Sequence, residues 1–148
     1  MKDSTATQPA TTVRRLHSPG TLQLQQLAEV LVDCVEGGAS VSFMSPLGLP
    51  RALDFWQGVA ASTARGERVL LVAEDDQGIC GTAQLVVDLP ENQPHRADVS
   101  KMLVHRRARC RGVGAALMRA VEDEARALGK TLLVLDTASA EAERLYER

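Results

Sequence analysis

Between Leu22 and Glu36, Leu24, Leu27, Leu31 and Val35 recur at helical spacing and predict a first helix with one apolar face. Gly37 and Gly38 end it. Pro50 suits the first turn of a second helix. Leu53, Trp56, Val59 and Thr63 carry its stripe, and Gly66 closes the pattern. A third helix is predicted over Gly112 to Leu128, with Val113, Leu117, Ala120, Val121 and Leu128 inward and Gly129 behind it. Other stretches read as strands. Thr12 to Leu16 is short. Arg68 to Glu74 is rich in Val and Leu, and Asp75-Asp76-Gln77-Gly78 turns it into a partner strand at Ile79 to Val87. Ala97 to Val104 is another strand, and the apolar run Thr131 to Leu135 suits one buried on both faces. Val41 to Leu49 and Asp88 to His95 read as loops. Ser139 suits the cap of a last helix, with Glu141 and Glu143 in its first turn. The order β-α-α-β-β-β-α-β-α predicts an α/β fold in one domain over residues 12–148, with a mixed sheet and helices on both faces. The polar residues 1–11 are expected to be a disordered tail.

Composition narrows the chemistry. The chain has 148 residues, 45% of them hydrophobic and 24% charged, which is ordinary for a soluble domain. Aromatics reach only 3%, too few for a base-stacking surface. The net charge of −2 argues against nucleic acid or an anionic membrane as partner. A local run departs from that balance: His105, Arg106, Arg107, Arg109 and Arg111 suggest a small anionic ligand. Cys34, Cys80 and Cys110 form no CxxC pair, so neither a disulfide framework nor a zinc site is expected. No signal peptide or membrane-length apolar run is seen, and a cytoplasmic location is the expectation. Monomer and homodimer both remain open.

Arg109-Cys110-Arg111-Gly112-Val113-Gly114 lies between a predicted strand and a predicted helix. Its glycines let the backbone approach a ligand closely. The first helical turn leaves amides without intrahelical partners, which suits a pyrophosphate. Two rival phosphate motifs are absent. No Gly-x4-Gly-Lys-Ser/Thr run occurs, and Leu117 stands where a dinucleotide fingerprint needs its third glycine.

Val99 to Ala115, reading VSKMLVHRRARCRGVGA, resembles the central motif of the GNAT superfamily of N-acetyltransferases. That family carries Gln/Arg-x-x-Gly-x-Gly/Ala at the start of its central helix, matched by Arg109, Gly112 and Gly114. It has an apolar strand just before, here Met102-Leu103-Val104, and a Leu-Tyr-Glu step downstream, here Leu145-Tyr146-Glu147. Lys101 to Arg148 also resembles the tabtoxin-resistance acetyltransferases, which acetylate a β-lactam dipeptide toxin. The resemblance implies acetyl-CoA as cosubstrate, no metal, and an amine acceptor on a small molecule or peptide, in the closer case a toxin or antibiotic. It implies that main-chain groups of Met102, Leu103 and Val104 pair with the pantetheine arm. Arg109, Cys110, Arg111, Gly112, Val113 and Gly114 would hold the pyrophosphate through backbone amides. Tyr146 would assist the leaving thiolate, and Ser139 stands where the family has a cofactor-contacting asparagine. The family continues with two more strands after the Tyr helix. The chain is therefore expected to be a C-terminally truncated version. A non-catalytic acyl-CoA-binding or regulatory domain, or an inactive fragment, is the alternative reading.

Attack on a thioester needs a neutral amine, and a lysine-like amine has a pKa of about 10.4. A base must therefore remove a proton. Asp98 and Glu74, both on predicted strands, are candidates. Asp98 is the one placed in the catalytic set beside Tyr146. Unbroken alternation puts Asp98, Ser100, Met102 and Val104 on one face, with Lys101 on the other. The backbone N–H of Val104 is the expected oxyanion donor. His105 reads as a surface residue, Trp56 as core or acceptor-site wall, and Cys110 as exposed among arginines. His17 and His95 belong to no constellation.

Overall fold

Five strands pair in chain order among the described residues: β1 (Thr12–Leu16), β2 (Arg68–Asp75), β3 (Gly78–Val86), β4 (Arg96–Val104) and β5 (Leu132–Leu135). The first four are antiparallel, and β4 pairs with β5 in parallel, so the sheet is mixed as expected. The computed structural model describes residues 11–37, 48–87, 96–109 and 111–135, with backbone alone for Lys101 and 132–135. Nearly all of the expected N-terminal tail, most of the Val41–Leu49 loop, the Asp88–His95 loop and the last helix lie outside the described residues.

Among the described residues three helices cover the sheet: α1 (Thr21–Glu36), α2 (Leu49–Ala64) and α3 (Val113–Ala127). Each begins or ends within a residue or two of its sequence-based bounds. At the start of α1, Gln23 Oε1 accepts the Gly20 N–H at 2.7 Å. Thr63 inside α2 returns its hydroxyl to the Val59 carbonyl at 2.8 Å, so its burial leaves that group satisfied.

The two faces of the sheet carry separate cores. On one, Leu27, Val30, Leu31, Cys34 and Val35 of α1 and Ala52, Trp56 and Val59 of α2 pack on Leu16, Leu70, Val72, Ile79 and Leu103. On the other, Val113, Leu117, Met118, Val121 and Ala125 of α3 pack on Val69, Leu71, Ala73, Ala83, Leu85, Ala97, Val99 and Met102. The run Val69 to Ala73 is buried throughout because helices lie on both sides of it. Each fully buried Leu or Val contributes about 1.5–3 kcal/mol relative to exposure.

The face pattern of β4 is broken. Gln84, Leu85 and Val86 pair with Ser100, Val99 and Asp98, whereas Gly81 and Thr82 pair with Val104 and Leu103. One extra residue of β4 therefore sits between Ser100 and Leu103, which is a β-bulge. Ala97 and Val99 face α3 before the bulge, and Met102 faces α3 after it. The expected shared face of Asp98, Ser100, Met102 and Val104 is thus corrected. Asp98 and Ser100 face the α1 and α2 side, while Met102 and Val104 face α3, because an extra residue reverses the alternation.

Candidate active site

The turn after β4 leads into α3. Arg106–Ala108 form a single 3-10 turn, then Gly112 caps α3 with φ 76° and ψ 14°, in the left-handed region. Among the described residues, and apart from its chain neighbours, no atom lies within 4 Å of a Cβ built on Gly112. The first helical bond runs from Ala116 N–H to the Gly112 carbonyl at 3.0 Å. The N–H groups of Val113, Gly114 and Ala115 therefore have no intrahelical acceptor. This end of α3 is pressed close to the sheet at Gly81. A Cβ there would lie 3.0 Å from Val113 Cγ1 and 3.2 Å from both Leu117 Cδ1 and the Leu103 carbonyl. Only glycine permits that approach.

Pairing parity fixes which main-chain groups of β4 are available. His105 N–H donates to the Cys80 carbonyl at 2.8 Å. Gly81 and Val104 are then a non-hydrogen-bonded pair, with the Val104 N–H and carbonyl turned away from β3. The same alternation commits the Leu103 main chain to β3. The Val104 carbonyl accepts from Arg109 Nε at 3.2 Å and from Cys34 Sγ at 3.5 Å. Burial pushes the Cys34 thiol up to about 11, against the pull of Arg109. Described pairing of β4 with β5 runs from Arg96↔Leu132 to Val99↔Leu135. Beyond Val99, no described residue pairs with that edge of β4.

Most of the basic run is tied to protein carboxylates. Asp33, a buried residue near the end of α1, accepts the Arg106 N–H at 2.9 Å and Arg106 Nε at 2.7 Å. His105 Nε2 stands 3.7 Å from the same carboxylate, while His105 Nδ1 accepts the Arg107 N–H at 3.1 Å. Arg107 donates through Nη2 to Asp75 Oδ1 at 3.1 Å and to the carbonyls of Gly78 and Ile79. Arg111 lies 3.9 Å from Asp75 and donates to the Arg107 carbonyl at 2.8 Å. Burial pushes both carboxyls up. The N–H and guanidinium donors outweigh it, and Asp33 and Asp75 end below the ordinary carboxylate range.

The proposed bases part company. Asp98 forms a two-pronged ion pair with Arg96, at 2.8 and 3.2 Å, and is half-buried. Glu74 is held by Arg14 of β1 at 2.6 and 3.2 Å, on a strand not adjacent to β4. Trp56 is wholly buried, edge-on to Phe55 with ring centres 5.0 Å apart, so it is core. Opposite Ser100 in the ladder, the buried Gln84 takes Arg68 Nη1 on its Oε1, and Arg68 Nε donates to Ser62 at 2.9 Å. Cys110, Ser139 and Tyr146 lie outside the described residues, as does the side chain of Lys101. Sequence reasoning missed Asp33 and Asp75. The signal for Asp33 was a carboxylate within the apolar stretch Leu31 to Val35.

The geometry so described is a helix N-terminus whose first amides have no intrahelical acceptor, beside an edge of β4 that no described residue pairs beyond Val99. A model of the acetyltransferase (GNAT) family matches residues 26–148. The chain is 35% identical over 127 residues to an uncharacterised N-acetyltransferase in the hisH-hisA intergenic region of Azospirillum brasilense, covering 84% of this chain and 74% of that protein. Among solved structures, yncA from Salmonella typhimurium, determined with its cofactor acetyl-CoA, is 21% identical with a TM-score of 0.70, covering 93% of this chain and 77% of yncA. The ribosomal-protein-alanine N-acetyltransferase of Brucella melitensis is 22% identical with a TM-score of 0.72, covering 92% and 81%. The structural similarities establish a shared fold, and the family match and curated relative go further: this chain belongs to the GNAT family of acetyltransferases.

Proposed function

We propose that the chain moves an acetyl group from acetyl-CoA to an amine on a small molecule or peptide. One observation carries the reading. Gly112 adopts the left-handed conformation with open space before it, so the N–H groups of Val113, Gly114 and Ala115 are available to a pyrophosphate. Bound acetyl-CoA supplies the activated acetyl thioester. The chain supplies the cradle at 111–115 and, at the end of β4 just before the turn, the Val104 N–H turned away from β3 as an oxyanion donor.

Asp98 is the carboxylate proposed to meet the acceptor amine. It alternates with Ala97 and Val99, which face α3, and so lies on the α1 and α2 side of β4, opposite to Met102. Tyr146 and Ser139 keep the roles that the family resemblance implies, at the thiolate and at the cofactor. The similarity to tabtoxin-resistance enzymes favours a toxin-like or antibiotic-like acceptor. Among the described residues no helix is long and apolar enough to cross a membrane.

The test is thermal unfolding of the chain with and without acetyl-CoA, followed by thiol release with a panel of amines. At 100 times its Kd the ligand adds about 2.7 kcal/mol of stability. A raised midpoint with amine-dependent thiol release supports the reading, and Asp98→Asn then lowers kcat with little change in the KM for acetyl-CoA. Binding without turnover on any amine leaves only an acyl-CoA-binding domain. No shift in a folded chain sinks the acetyl-CoA assignment.

A further inference from the structure

Four arginines and a histidine crowd the turn between β4 and α3, and bringing such a turn to one fixed shape requires that their charges be held. Asp75 does this from the β2–β3 hairpin. Its side chain is 2% exposed, and it takes the Gln77 N–H at 2.9 Å and Arg107 Nη2 at 3.1 Å, with Arg111 at 3.9 Å. Arg107 extends the tie to the carbonyls of Gly78 and Ile79. Arg111, the residue immediately before Gly112, in turn donates to the Arg107 carbonyl at 2.8 Å. Asp33 holds the opposite flank through Arg106. The turn that precedes the open amides is thus fastened on one side to α1 and on the other to the hairpin.

From this geometry we infer that Asp75 is a positioning residue for pyrophosphate binding, acting through Arg107 and Arg111 to aim the amides at the start of α3. The inference rests on the acetyl-CoA reading above. Asp75 itself is a carboxylate beside an anion site, and its charge opposes the ligand. A purely electrostatic view therefore expects Asp75→Asn to tighten CoA binding, since a repelling charge is gone and two guanidinium groups are released. Positioning predicts the opposite sign. Without the carboxylate, Arg107 and Arg111 repel one another and lose their anchor, and the turn leaves the shape that presents Gly112 in its left-handed conformation.

The experiment is calorimetric titration of CoA into the full-length chain, compared across wild type, Asp75→Asn and Arg107→Lys. Arg107→Lys keeps the charge and gives up the guanidinium fork, so electrostatics alone predicts no change for it. Expected are at least tenfold weaker binding in each variant and a non-additive double variant, as for two residues on one path. In turnover assays the KM for acetyl-CoA rises while kcat stays within about threefold. With S-acetylpantetheine, which has the thioester but no pyrophosphate, kcat/KM stays near that of wild type, which general structural damage would not allow. If Asp75→Asn fails to fold, Arg107→Lys alone decides. CoA binding by either folded variant as tight as wild type, or tighter, overturns the inference. Failure of the wild type to bind CoA overturns the cofactor reading beneath it instead.

Discussion

Gly112→Ala separates the two consequences of one backbone conformation. At φ 76° and ψ 14° an L side chain is strained, which costs about 1–2 kcal/mol. No overpacking against the described residues adds to this, because the new Cβ would meet none of their atoms within 4 Å beyond its chain neighbours. The loss in Tm is therefore modest, roughly 3–8 °C for a domain of this size. The ligand suffers more. The space a methyl would enter adjoins the N–H groups of Val113, Gly114 and Ala115, and a phosphate kept from one of them loses a charge-assisted hydrogen bond of about 1.5–3 kcal/mol. That is about a 10- to 100-fold rise in Kd for acetyl-CoA. Gly112→Asn sharpens the test, since Asn tolerates the left-handed region better than Ala. Melting curves without ligand should rank Gly above Asn above Ala. Titration with acetyl-CoA should rank Gly far above both, with Asn no better than Ala. Affinity that follows the stability order would show that strain alone matters. Binding by Gly112→Ala within twofold of wild type would refute the placement of the pyrophosphate.

Further outcomes follow from the packing and the carboxylates. Gly81→Ala forces a Cβ to within 3.2 Å of the Leu103 carbonyl, a backbone atom that cannot step aside, and should destabilise by about 1–3 kcal/mol in urea unfolding while weakening acetyl-CoA binding through displacement of α3. Asp33 and Asp75 are held below the ordinary carboxylate range, so the stability each contributes is complete above about pH 4 and is lost as pH falls through the folded value. The gap in urea midpoint between wild type and Asp33→Asn should therefore be wide at pH 6 and shrink towards pH 3; a gap that grows on acidification would contradict it. With its thiol raised to about 11 by burial, Cys34 should resist iodoacetamide at pH 8 in the folded chain and react once urea unfolds it, as followed by mass spectrometry of its peptide.

The helices were legible because their stripes are local. Val113, Leu117 and Val121 recur every four residues and are buried on one side of α3, whereas Leu128, read into the same stripe, is 44% exposed because the helix ends before it. The strand over Arg68–Asp75 was legible from its run of Val and Leu, whereas the burial of Val69 to Ala73 on both faces emerged only with the helices packed on each side; the run read as doubly buried, Thr131 to Leu135, has side chains outside the described residues from 132 onward. The glycine cap also showed, because Gly112 and Gly114 stand at a strand-to-helix boundary. What failed was alternation along β4. Period two identifies faces only while no residue is inserted, and nothing in Ser100-Lys101-Met102 marks the bulge. Its origin is in the ladder with β3, a relation between strands, so it is absent from the β4 sequence itself.

The basic run shows the same limit in electrostatic form. Along the chain, His105 to Arg111 looks like surplus positive charge awaiting an anion. In space its counter-charges arrive from distant segments: Asp33 is 73 residues from Arg106, and Asp75 is 32 from Arg107. These carboxylates are the reason the turn can be both highly basic and fixed. On the acetyl-CoA reading proposed above, with Arg106 and Arg107 engaged, recognition of a pyrophosphate would fall chiefly to oriented N–H groups at the start of α3, which carry no net charge and need no counter-ion. A site built from dipoles keeps its aim only if the backbone under it is rigid. On the same proposal the arginines of this turn would act on the ligand mainly by holding that backbone, and the acidic residues that hold the arginines would serve the anion site without touching it.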